Sequence, residues 1–334
     1  MTKKKLLIGL LAFVLVFAMT VVGCDLLDND KDDDSTNDNN IQNNNNNNNN
    51  NNGNTNGSGG TITSPTGIVM VSIPAGTFTM GSPSTESSRP DERPQHSVTL
   101  SGFSMSKYEV TQAQWIAVMG AIGTGESGDR TSYGNGDNYP IYDVNWYEAL
   151  VFCNKLSIKE GLTPVYSING STDPTTWGTV PHRTPWDAAN NAKWVAVVIV
   201  SGSTGYRLPT EAQWEYACRA GTTTAYNTTI ADNIGWYKSN SGEKTHQVGL
   251  KPANAFGLHD MHGNVSEWCW DWFKGSYYSS SPTNDPMGET TGSNRVSRGG
   301  NWLNNADNLR SAYRESSPPY DGGSGVGFRL VRNN

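Results

Sequence analysis

Charge is scarce in this chain and leans to one sign: 16% of its 334 residues are charged, 24 Lys and Arg against 31 Asp and Glu. The formal charge of −7 becomes −10 once Lys3, Lys4 and Lys5 are taken away with the export signal described below. An acidic chain lacks the electrostatic basis for holding nucleic acid. Cysteine and histidine are also rare, at four and five, and neither CxxC nor HExxH occurs. His259-x-x-His262 is the nearest approach to a metal motif, and a structural role suits it better. Cys153, Cys218 and Cys269 are an odd set without metal-ligand spacing, so pairing of any two is open. Hydrophobic residues make up 35%, which excludes a coiled coil or helical bundle. What is abundant, 36 Gly, 14 Tyr and 11 Trp, describes a loop-rich globule with an aromatic core.

The one long apolar run, residues 6–22, follows the positive TKKK of residues 2–5 and precedes Gly23-Cys24. Positive, apolar and small-residue regions in that order form an export signal. An uncleaved membrane helix is the alternative, but Val21-Val22-Gly23-Cys24 resembles the lipobox of bacterial lipoproteins, which implies cleavage before Cys24 and acylation of that residue. Residues 25–65, with the Asn run 43–52, have almost nothing to bury and read as a disordered spacer between membrane and domain.

From residue 66 the chain reads as one domain. Gly67–Gly81 alternates like a hairpin around Pro74-Ala75. Three helix starts share a capping pattern: Thr111 with Gln114, Asn145 with Glu148, and Thr210 with Gln213. Apolar residues follow each at helical spacing, with Glu211, Glu215 and Arg219 on the polar side of the third, so short amphipathic helices on a sheet are expected. Residues 120–140 and 164–204, which include Trp177, Trp186 and Trp194, read as long loops or inserted hairpins.

Seven ordered blocks then stand out: IPAGTFTMGS (73–82), YEVTQAQW (108–115), PIYDVNWYEALVFC (140–153), YRLPTEAQWEYACRAG (206–221), GLHDMHGNVSEWCWDW (257–272), RVSRGGNW (295–302) and GFRLVR (327–332). They resemble the formylglycine-generating-enzyme, or sulfatase-modifying factor, family over about residues 66–332. The resemblance implies an α+β, C-type lectin-like fold with little regular secondary structure and long loops. The family's enzymes hold copper with two cysteines five residues apart; those positions here carry Asn304 and Leu309, neither a thiolate ligand. It therefore implies a retained scaffold without the oxidation chemistry, no catalytic residue and no required cofactor. The block around Gly263 also matches a calcium-binding segment of the family, which makes Asn264 and Glu267 candidate ligands, with a pinned turn and a local pair as the alternative.

The stretch 295–332 is similar to the variable region of the Treponema variable protein class, lipoproteins diversified by retroelements. By that likeness Arg298, Gly299, Gly300, Trp302, Ala306, Leu309, Arg310, Ala312, Arg314, Gly327 and Phe328 are framework. Leu303, Asn304, Asn305, Asp307, Asn308, Tyr313, Glu315, Ser316, Ser317, Tyr320, Asp321, Gly323, Ser324 and Gly325 are the expected ligand-contacting positions. Their mixture of Tyr, Ser, Gly and Asn without periodicity is also what binding loops favour, and an ordinary family loop is the plainer reading. Tyr313 and Tyr320 are expected to face solvent. The expected function is a cell-surface or outer-membrane lipoprotein that meets a protein or glycan partner and no nucleic acid. A diverged modifying enzyme acting on exported proteins, or a calcium-dependent glycan binder, is the alternative.

Overall fold

The computed structural model describes residues 60–334 apart from 87–88, 184–186, 229–232 and 234. The export signal, Cys24, most of the spacer and Trp186 lie outside the described residues. The domain is α+β, as the resemblance implied, and its sheet begins before residue 66: Thr61–Thr63 pairs antiparallel with Val69–Ile73.

Two four-stranded sheets organise it. The first runs Thr61–Thr63, Val69–Ile73, Phe103–Ser106, Val331–Asn333; the second runs Arg314–Ser317, Arg295–Arg298, Ser266–Trp272, Val326–Gly327. The expected hairpin does not form. Val69–Ile73 pairs with Phe103–Ser106, while Gly76–Met80 pairs with His96–Leu100 in a separate ribbon. A two-residue hairpin turn needs positive φ at its first position, which Pro74 cannot adopt, so the chain passes from one sheet to the next instead of folding back.

The three capping boxes form as the sequence predicts and start helices α1 (Gln112–Met119), α2 (Trp146–Lys159) and, after α3 (Ala188–Val195), α4 (Glu211–Arg219). In each, the cap side chain accepts from the backbone N–H three residues on, and the Gln or Glu there accepts from the cap's own N–H. Residues 164–204, expected as loops or inserted hairpins, hold α3 as well as a pairing of Tyr166–Ser167 with Val198–Ile199. α2 is buried almost all round. On α4 the polar side is buried as well: Glu211, Glu215 and Arg219 are inside, not facing water. Arg314 and Arg298 from distant segments meet the two carboxylates, and Arg219 pairs with Glu215 one helical turn away. Cys153, Cys218 and Cys269 are all buried and unpaired.

Candidate interaction surface

Beneath residues 303–325 lies a buried lattice of arginines and carboxylates. Arg314 sends Nε and Nη2 to the two oxygens of Glu211 at 2.6 and 2.8 Å. Arg298 grips Glu215 and donates to the carbonyls of Ser311, Ala312 and Tyr313. Arg310 clamps both oxygens of Glu92 at 2.6 and 2.8 Å. Burial raises the Glu211 carboxyl, but Arg314 and Arg298 outweigh it and hold the group below its ordinary range. Arg310 and Ser82 do the same for Glu92. The lattice joins α4, the second sheet and the residues Ser82, Glu86 and Glu92 into one base.

On that base the framework residues Arg298, Trp302, Leu309, Arg310, Ala312, Arg314 and Phe328 are buried. Gly300 has φ of 65°, and a Cβ there would lie 2.6 Å from the Asn308 carbonyl, so the turn after Arg298 admits glycine alone. Of the expected contact positions, Leu303, Asn305 and Asp307 are exposed; Asn304, Asn308, Glu315, Ser316, Ser317, Tyr320, Asp321, Gly323 and Ser324 are half-buried.

Two tyrosines and one glycine depart from expectation. Tyr313 is 6% exposed, with the guanidinium groups of Arg89 and Arg310 5.7 and 5.9 Å from its ring. Tyr320 is half-buried and packs against the main core. A Cβ on Gly325 would sit 2.5 Å from Asn301, whose amide donates to Ser266, so Gly325 is framework. Glu315 accepts from Ser266 at 3.1 Å and Tyr313 at 3.3 Å; burial raises its carboxyl nonetheless.

Residues that no local signal marked border the stretch. Tyr133, 40% exposed, lies 4.9 Å from the ring of Trp302, whose Nε1 donates to the Ser324 carbonyl. Arg183 reaches Asp321 at 3.6 Å, and the hydroxyl of Tyr226 donates to the Ala306 carbonyl. The backbone N–H of Lys238 donates to the Asn304 carbonyl.

The two calcium candidates are committed elsewhere. Glu267 takes two N–H donors of Arg329 and the indole N–H of Trp214, while the Asn264 oxygen accepts the His246 N–H and its amide donates to Glu109. A cation there would stand against a guanidinium, so these residues do not fit calcium. The described residues contain no group of three or more His, Cys, Asp or Glu side chains placed to hold a metal.

His259 donates from Nδ1 to the Lys251 carbonyl, while His262 donates from Nδ1 to the Leu309 carbonyl at 2.6 Å and accepts the Asn227 N–H on Nε2. That pairing fixes His262 as the neutral tautomer, and burial pushes its pKa down to about 4. Below the ordinary value of 6.5 the unfolded chain binds a proton that the folded chain refuses, so stability falls as pH drops from about 6.5 to about 4. Denaturation of the protein and of His262→Gln across that window is expected to show an extra acid loss of roughly 3 kcal/mol in the former. Parallel pH curves would contradict it.

Residues 61–334 match the family described as Sulfatase-modifying factor enzyme 1-like domain. The chain is 36% identical over 257 residues to the chaperone protein LppX of Paenibacillus barcinonensis, spanning 71% of this chain and 82% of that one. It is 28% identical to the formylglycine-generating enzyme of Mus musculus over 78% of this chain and 74% of the enzyme. Among solved structures, Treponema denticola variable protein 1 superposes with a TM-score of 0.68 at 36% identity, covering 80% of this chain and 95% of the other.

Proposed function

We propose that this chain, which belongs to the sulfatase-modifying factor enzyme 1-like family, is a non-enzymatic binding lipoprotein that meets a macromolecular partner through residues 303–324. One observation carries the reading: a segment with exposed Leu303, Asn305 and Asp307 lies on a buried ion-pair base built from other side chains. Such a division between fixed support and free surface suits recognition, because a rigid base lowers the ordering cost of binding. The likeness to Treponema denticola variable protein 1 supports it. So does the pair of family copper positions: Leu309 is fully buried, and Asn304 is tied to Asn301 and Lys238 through its oxygens. The partner is a protein or glycan. Calcium is no part of the reading, since Asn264 and Glu267 are occupied.

The flanking DNA tests the diversified form of this idea. A near-copy of codons 295–332 with adenines at the differing positions, beside a reverse transcriptase gene, is the expected finding, and a neighbourhood without either overturns it. The likeness to the mouse enzyme favours the second reading, a diverged modifying enzyme; turnover of cysteine peptides by the purified chain with copper and oxygen would establish that instead.

Anchorage follows from the lipobox at Val21–Cys24. The mature chain is expected to partition into detergent, and Cys24→Ala to block processing or release it. Normal processing and unchanged partitioning of Cys24→Ala would remove the anchor from the proposal.

A further inference from the structure

Each of the arginines Arg298, Arg310, Arg314 and Arg329 grips a carboxylate. Arg207, just before α4, is buried too, yet among the described residues its guanidinium bonds only neutral acceptors: the Leu208 carbonyl at 3.1 Å, Gln213 Oε1 at 2.9 Å and Asn333 Oδ1 at 2.8 Å. A buried cation with no carboxylate in bonding contact is costly unless something supplies one. Burial lowers the hold of Arg207 on its proton, and the more distant charges of Asp271 and Asp285 oppose the shift without reversing it.

Arg207 lines a cavity of about 450 Å3 beside the C-terminal strand, a volume in the range of small-molecule sites. Leu100, Ile199 and Met287 line it with apolar surface. Asp285 also borders it, fixed by the N–H and hydroxyl of Ser101 at 2.8 and 2.7 Å. None of these residues belongs to the 303–325 stretch.

We propose that this cavity binds a small monocarboxylate with a short aliphatic body. The carboxylate meets the guanidinium of Arg207, and the body lies on Leu100, Ile199 and Met287. Asp285 repels negative charge, so the cavity tolerates a carboxylate bonded directly to Arg207 and no second one. A charge-assisted bond to a desolvated guanidinium is the interaction that separates a carboxylate from its neutral amide.

The test is calorimetric titration of the purified full chain with 4-methylpentanoate and with 4-methylpentanamide. The acid is expected to bind saturably with a millimolar Kd and the amide not at all. Arg207→Gln is expected to abolish binding, but it also removes structural bonds to Leu208 and Asn333. Met287→Asp is therefore the second variant: the side chain is 44% exposed, and a carboxylate on that wall is expected to weaken the acid by about tenfold or more with melting unchanged. Equal binding of acid and amide, affinity unaltered in Met287→Asp, or no binding of the acid up to about 10 mM would each overturn the proposal.

Discussion

Glu211→Ala is expected to destabilise the domain by about 3–5 kcal/mol, a large fraction of the total for a single domain. The carboxylate is 1% exposed, accepts two bonds from Arg314 and one from the Tyr278 hydroxyl, and lies 3.7 Å from Arg298. Truncation leaves the Arg314 guanidinium without its anion in a place water does not reach. The neighbouring Arg298 keeps Glu215, so the loss is confined largely to one pair. Denaturant unfolding of Glu211→Ala beside Asp307→Ala measures it. Asp307 is exposed, and its removal is expected to shift stability by less than about 0.5 kcal/mol. Similar midpoints for the two variants would show that the lattice is not what holds the base together.

Trp302→Ala is expected to cost about 3–5 kcal/mol, because the deleted indole leaves a cavity that its neighbours fill only in part. Trp302 is 2% exposed, contacts Tyr133, and bonds the Ser324 carbonyl through Nε1. Its loss therefore loosens the 133 loop and the 324 turn together. Tyr313→Ala belongs in the same group, at about 2–4 kcal/mol, since the ring is buried beside two arginines. Leu303→Ala, at an exposed position, is expected to leave melting nearly unchanged. A melting series over these three variants separates support from surface. If Tyr313→Ala melts with Leu303→Ala and not with Trp302→Ala, Tyr313 returns to the contact surface and the base is smaller than described.

Those two experiments follow a line that runs through the 295–332 stretch itself. Arg298, Trp302 and Arg314 are support; Leu303, Asn305 and Asp307 are surface. Tyrosine serves both roles, so composition places Tyr313 on the surface, and its burial beside Arg89 and Arg310 assigns it to the support. Gly325 resembled a variable small residue until the Asn301 side chain is seen to fill the space a Cβ would need.

Features that depend on neighbours a few residues away were legible before any fold was known. The three capping boxes at Thr111, Asn145 and Thr210 form where the residue pattern placed them, because both partners of each reciprocal bond lie within one helical turn. The ordered blocks likewise identified the family and the α+β class. Tertiary structure alone decided which charges are inside. Glu211 and Glu215 have the spacing of a solvated helix face, and they are buried because Arg314 and Arg298 arrive from the second sheet, about a hundred residues further along. Glu267 is withdrawn from metal binding by Arg329 in the same way. The fate of a charge is set by the sum of its desolvation and its partners, and partners brought together by sheet pairing leave no mark at local spacing.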